Sequence, residues 1–163
     1  MVSSLVAVWE KDYQKWGDAA DQALMINPNY AQVLNSKATL YVYCGEPYKG
    51  IPFIERALRL DRAFTQYIHF LGTAYFVAEE YEKASIEFKK CIAKDPKTDL
   101  SRAFLSSALG HLGHIDEARG IWEELMAINP NYSYVKHIER LPFREQKDAA
   151  KLADGLRKAG IVE

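Results

Sequence analysis

The tetrapeptide Asn27-Pro28-Asn29-Tyr30 returns unchanged as Asn129-Pro130-Asn131-Tyr132, 102 residues further along the chain. Between the two copies, Pro96 in Asp95-Pro96 stands 34 residues before Pro130. One step further back lands on Arg62 in Asp61-Arg62-Ala63-Phe64, and another 34 residues reaches Pro28. Each marker follows an amphipathic run such as Ile54-Glu55-Arg56-Ala57-Leu58-Arg59-Leu60. Proline suits that place because it cannot continue a helix and favours the turn beyond it. A fixed period of this length is the signature of stacked helix pairs, in which each unit buries its apolar face only against its neighbours.

Other positions keep the same phase. Twelve residues before the marker stand Gly50, Ala84 and Ala118, and five before it stand Ala23, Ala57, Cys91 and, in the last unit, the larger Leu125. Ile54, Phe88 and Trp122 share one position on the second helix of each pair. Tyr41, Tyr75 and Leu109 share one on the first. Gly45 and Gly113 fall in the turn between paired helices, where the middle unit carries Glu79 instead. Small residues set against large ones at fixed phase are what interlocking helices require.

These residues resemble the tetratricopeptide-repeat family. In the best-matched unit Leu71-Gly72, Tyr75, Tyr81, Ala84, Phe88 and Pro96 all stand at the family's positions. Lys37-Ala38 in place of Leu-Gly, Arg62 for proline, and Cys91 and Leu125 for alanine are departures, none of which stops a helix. The resemblance implies an all-α fold: a right-handed superhelix of antiparallel helix pairs. Its units are 31–64, 65–98 and 99–132, with a truncated one over 1–30 and a C-terminal helical cap over 133–163. The first unit begins partway into its first helix, with Leu5, Val6 and Trp9 as apolar residues. A solenoid ordinarily ends in a polar cap. The expectation is therefore a longer parent chain, cut near Met1.

After Tyr132 the period stops. A short helical stretch is expected from Tyr134 to Arg140. A second follows from Glu145, with Ala149, Leu152, Ala153, Leu156 and Ala159 on one stripe and Gly160 as its stop. This segment is expected to cover the last repeat. Leu141-Pro142-Phe143-Arg144 and Asp154-Gly155-Leu156-Arg157-Lys158-Ala159-Gly160 resemble tails that follow repeat regions in bacterial class III adenylate and guanylate cyclases. That resemblance implies a signalling parent with an output domain upstream. It carries over no cyclase catalytic residue, because none of these residues belongs to such a domain.

Composition excludes several classes. The chain has 163 residues, 48% of them hydrophobic and 26% charged, and a formal net charge of −1. With basic and acidic residues interspersed, nothing favours a nucleic acid or a membrane surface as partner. Cys44 and Cys91 lie far apart, which suits two free thiols in a reducing cytoplasm better than a disulfide framework. His111 and His114 lack further ligands at metal-binding spacing, and adjacent acids such as Glu79-Glu80 diverge on a helix instead of forming a dyad. The glycines form no phosphate-cradling loop. No constellation of residues argues for an enzyme, a metal or a cofactor.

The family lines its concave face with the first helix of each pair. Carried onto this sequence, that places Asn35, Thr39 and Tyr43 from the first full unit in a partner-binding groove. His69, Phe70, Thr73 and Phe76 come from the second, and Phe104, Ser107 and His111 from the third. Amides and hydroxyls would bond a peptide backbone while aromatic rings receive its apolar anchors. The alternative for Phe70, Phe76 and Phe104 is simple packing between repeats. Some members clamp an acidic C-terminus with basic residues. Here those positions are Asn35, Thr39, His69, Thr73, Ala103 and Ser107, none of them lysine or arginine. The expected function is protein or peptide binding within a signalling protein, the alternatives being self-association through the terminal helices or a free-standing adaptor.

Overall fold

The computed structural model describes residues 11–163. Leu5, Val6 and Trp9 lie outside the described residues. Among those described, nine helices and no strand are formed. They are α1 (Tyr13–Ile26), α2 (Ala31–Tyr43), α3 (Pro47–Leu60), α4 (Gln66–Val77), α5 (Tyr81–Lys94), α6 (Asp99–His111), α7 (Ile115–Ile128), α8 (Tyr134–Arg140) and α9 (Gln146–Lys158). None is long and apolar enough to cross a membrane.

Two kinds of turn alternate along the stack, each on the 34-residue period. Within a pair, the first helix ends in a left-handed residue: Gly45 at φ 79°, Glu79 at 64° and Gly113 at 77°. The next amide folds back onto the carbonyl five residues earlier. Glu46 bonds to Tyr41, Glu80 to Tyr75 and His114 to Leu109, each at 2.9 Å, which satisfies a carbonyl the helix end leaves open. Between pairs, Asn27, Asp61 and Asp95 cap their helices, and their side-chain oxygens accept from the amides of Asn29, Ala63 and Lys97. This Asx turn needs no proline. That is why Arg62 can occupy the proline position without disturbing the repeat.

Helices α2 with α3, α4 with α5, and α6 with α7 form the antiparallel pairs, and α1 packs on α2 as the second helix of the preceding unit. The small in-phase residues sit where backbones approach. A Cβ on Gly50 would lie 2.7 Å from the Ala38 carbonyl, and Ala84 and Ala118 are fully buried. Ile54 and Phe88 fill the facing holes at 0% exposure, while Trp122, in the same phase on the last pair, is only half-buried. The architecture is the tetratricopeptide-type superhelix.

The C-terminal segment does more than cover the last repeat. Helix α8 takes the place of a next first helix, with Ser133 capping its start through the Lys136 amide. Residues 141–145 then reach back to the end of α2, and α9 returns across the inner face to pack along α6. Of the expected apolar stripe, Leu152, Ala153, Leu156 and Ala159 are buried there and Ala149 is partly buried. The crossing is close because it is made of small residues. A Cβ on Gly110 would lie 2.0 Å from the Gly155 carbonyl oxygen, and one on Gly155 would lie 2.2 Å from the Ser107 oxygens.

Candidate functional site

The inner face is divided in two by this arrangement. Toward α1 an open cavity of about 580 Å³ remains. Asn35, Thr39 and Tyr43 of α2 and Phe70 of α4, all expected in the groove, line it together with Trp16, Gln32, Ser36 and Gln66. Its far wall is the segment Glu139–Pro142. Trp16, Tyr43, Phe70, Leu141 and Pro142 make the interior apolar, and the charged groups Lys11, Glu139 and Arg140 are exposed at its edge.

Two hydrogen bonds tie polar groups of this cavity wall together. The Trp16 indole N–H donates to the Ser36 hydroxyl at 2.8 Å, and the Thr39 hydroxyl donates to the Ser36 carbonyl at 3.0 Å. The side-chain oxygen of Asn35 is buried with no hydrogen-bond partner among the described residues. Such an acceptor ordinarily costs about 1–3 kcal/mol unless a donor reaches it. Tyr43 presents its ring, not an acidic hydroxyl, because burial holds its phenol far above the ordinary range.

Of the other expected groove residues, four are buried. Thr73, Phe76, Phe104 and Ser107 are each 1% exposed or less. Phe76 and Phe104 meet edge-on at 5.2 Å in a core shared with Leu152 and Ala159 of the C-terminal segment. For these two rings, packing is the role the structure gives. His69 lies against Phe70, Phe88 and Phe104 with centroids 5.6–5.7 Å away, and its Nδ1 meets the Ser101 hydroxyl at 2.9 Å. Burial lowers its pKa to about 4, with the neighbouring His137 adding to the shift. His137 is likewise held at about 4 by burial and pairs with the Tyr132 hydroxyl.

Ser107 and His111 grip the tail directly. The Ser107 hydroxyl donates to the Leu152 carbonyl at 2.9 Å, and Nε2 of His111 meets the Lys151 carbonyl at 2.8 Å. Facing a carbonyl, that nitrogen carries the proton. Nδ1 then accepts from the Lys158 ammonium at 3.0 Å, while the ring stacks on Tyr81 at 4.1 Å. One neutral tautomer satisfies both nitrogens. The His111 pKa is accordingly lowered, first by burial.

The basic residues of α2 and α6 are held in ion pairs. Lys37 pairs with Asp21 at 2.8 Å, and Arg102 with Glu124 at 3.2 Å. Ala103 is fully buried. Among the described residues no three of His, Cys, Asp and Glu converge as metal ligands would. Cys91 is buried against Ser101 and the Thr65 carbonyl, and burial raises its thiol pKa.

Trp16, Gln32, Ser36 and Gln66 were not among the residues singled out from sequence. Gln32, Ser36 and Gln66 lie on the first helices beside predicted positions, so their placement follows from helical phase. Trp16 belongs to a second helix, so the phase of the first helices does not point to it. Glu139–Pro142 carry no repeat signal at all.

No family model matches the chain. Hsp70-Hsp90 organizing protein 3 of Arabidopsis thaliana is 29% identical over 87 residues, which are 52% of this chain and 16% of that protein. Small glutamine-rich tetratricopeptide repeat-containing protein 2 of Mycosarcoma maydis is 24% identical over 102 residues, 63% of this chain and 29% of its own length. Putative adenylate cyclase 3 of Rhizobium meliloti (strain 1021) is 42% identical over 45 residues, 27% of this chain and 8% of its own. The chain thus spans well under a third of each of these relatives. Among solved structures, MamA superposes with a TM-score of 0.69 at 19% identity, covering 92% of this chain and 88% of that one. The first TPR of Spaghetti (RPAP3), bound to HSP90 peptide SRMEEVD, gives 0.63 at 18% identity, covering 80% and 90%. Repeat register, helix packing and these similarities agree on the fold, a superhelix of tetratricopeptide type.

Proposed function

We propose that the chain is a protein-interaction module that takes an apolar-anchored, uncharged stretch of a partner peptide into the cavity between α1, α2 and α4. The observation that carries this is the cavity's composition. Aromatic walls surround one buried acceptor, the Asn35 side-chain oxygen, that lacks a donor among the described residues. A peptide N–H supplies that donor, while Trp16, Tyr43 and Phe70 receive an apolar side chain. The relative of known ligand holds the peptide SRMEEVD. Without lysine or arginine at the clamp positions, this groove favours a neutral segment over an acidic one.

The test is a double substitution, Phe70→Ala with Tyr43→Ala, assayed against whichever peptide a display library selects on the wild-type chain. If the rings are anchors, binding weakens by at least ~2 kcal/mol. Unchanged affinity with an intact circular-dichroism spectrum removes the groove reading.

The 45-residue likeness to the Rhizobium protein supports a parent of the signalling class, with this chain as the interaction part of an adenylate or guanylate cyclase. Sequencing the native reading frame upstream of Met1 decides between that and a free-standing adaptor. Self-association is the competing role. The stripe on α9 that could serve it is packed against α6 within the chain. A monomer at every dilution in light scattering ends that reading.

A further inference from the structure

The covered half of the groove is filled by the chain itself, in the manner of a ligand. Phe143 stands edge-on to Tyr43 at 4.9 Å. The Arg144 amide donates to the Tyr43 carbonyl at 2.8 Å, and its guanidinium lies 4.8 Å from the centre of the Tyr13 ring. The Tyr13 hydroxyl donates to the Pro142 carbonyl at 3.3 Å. Further along, Ser107 and His111 hold main-chain carbonyls of α9. Groove side chains on backbone carbonyls, with one aromatic anchor seated against rings, are the contacts a bound peptide makes.

Two features at this contact are unfavourable taken alone, and both meet at Lys151. Glu79 adopts the left-handed conformation at the turn position where Gly45 and Gly113 stand in the neighbouring units. A side chain there is strained. Its carboxylate is 3.0 Å from the Lys151 ammonium. Asp148 is 4% exposed and pairs with Lys151 through one oxygen at 3.1 Å, while the other oxygen has no partner among the described residues. Lys151 also donates to the Val77 carbonyl at 2.8 Å. Strain and a half-satisfied buried carboxylate persist where a contact has been retained for switching as well as for stability. The outer flank of α9 borders an open polar cleft of about 770 Å³, so water reaches the latch without the helix moving.

We infer that residues 141–158 are a displaceable internal ligand, latched over the groove by Lys151 between Glu79 and Asp148. A partner segment of the same chemistry replaces it: an extended apolar-proline-aromatic-basic stretch leading into an amphipathic helix. This rests on the groove being a peptide site and names its regulation.

The experiment uses the full chain, its Lys151→Ala variant and its Glu79→Gly variant. Amide exchange is followed by mass spectrometry, and a labelled synthetic peptide of residues 139–163 is titrated by anisotropy. Lys151→Ala leaves Asp148 and Glu79 unpaired, and Glu79→Gly relieves the turn while cutting one arm of the latch. Exchange in α9 rises at least ten-fold in Lys151→Ala and about three-fold in Glu79→Gly, with α4 and α6 unchanged, and the peptide binds Lys151→Ala at least ten-fold tighter than wild type. Exchange of α9 at the rate of α4 and α6 in all three proteins overturns the inference, since the segment then opens only with the whole fold. Faster α9 exchange without peptide binding also overturns it, leaving a loose cap. Leu141 and Pro142 also wall the α1–α2–α4 cavity, so that site keeps a separate test, the Phe70 and Tyr43 substitution.

Discussion

Two glycines in comparable mid-helix positions are expected to respond to alanine with opposite signs. In an exposed helix, Gly→Ala ordinarily stabilises by about 0.5–1 kcal/mol through helix propensity and the unfolded chain's lost freedom. Gly120 in α7 is such a case, because a Cβ built on it meets nothing within 4 Å. Gly155 in α9 is not. Its Cβ would lie 2.2 Å from both the carbonyl and the hydroxyl oxygen of Ser107 and 2.7 Å from the His111 ring. The backbone of α6 lies directly behind, so α9 must move away by an ångström or more. Overpacking of this kind costs about 1–3 kcal/mol. The shift also weakens the Ser107 bond to Leu152 and the His111 bond to Lys151, at roughly 1 kcal/mol each. After subtracting the propensity gain, Gly155→Ala should destabilise by about 2–4 kcal/mol. Urea unfolding followed by circular dichroism reads both variants. At about 2 kcal/mol per molar, Gly155→Ala lowers the midpoint by about 1–2 M, whereas Gly120→Ala raises it slightly. A stabilised Gly155→Ala protein would refute the close seating of α9 on α6, and with it the covered half of the groove.

Acid should loosen the inner face before it unfolds the rest. His69 and His137 have folded pKa values of about 4, below the unfolded value near 6.5, so their contribution is fully present above pH 6.5 and is lost as pH falls toward 4. By pH 4.5 each contributes a loss on the order of 2 kcal/mol. In His69→Asn the drop in urea midpoint between pH 7 and pH 4.5 should shrink clearly, and an undiminished drop would assign the acid sensitivity to other groups. Arg62→Pro should raise stability by about 0.4–1 kcal/mol in the same assay. Pro28, Pro96 and Pro130 already occupy this slot in the other units, and Asp61 before it has the extended conformation that proline requires. A loss of stability would mean that the Asx turn at Asp61 differs from its counterparts.

The stack was legible because its signals are local and repeat. Gly45 and Gly113 mark the intra-pair turns and the Asn-Pro or Asp-Pro steps mark the others, each on the period of 34 residues. Even the exceptions are explained by chemistry at the same spot. Arg62 is tolerated because Asp61 closes the turn with its side chain, and Glu79 because its carboxylate reaches Lys151. The groove was half legible. Helical phase puts Asn35, Thr39, Tyr43 and Phe70 on one face, and they line one open cavity. Phase alone also puts Phe76, Phe104 and Ser107 on that side, and these are covered by α9.

What sequence could not supply was the path of the tail. The same apolar stripe on Leu152, Ala153 and Leu156 would serve a helix laid on the outer end of α7 or one laid inside the superhelix. The choice between them rests on contacts that span long stretches of chain. Gly110 must meet Gly155, Tyr43 must meet Phe143 and Arg144, and Val77 must meet Lys151. None of these pairs has a local spacing to announce it. Yet the small residues do carry a trace of the answer. In helical positions, Gly110 and Gly155 each forgo about 1 kcal/mol of helix propensity relative to alanine, and a cap lying over a flat, side-chain-covered surface would have no use for that sacrifice. Two helices give up their Cβ atoms at matching places only where their backbones have to touch. The inner face of α6 is therefore shaped for a closely seated helix, and any partner that binds there must either supply an equally narrow helix or stay in the wider cavity beside Trp16.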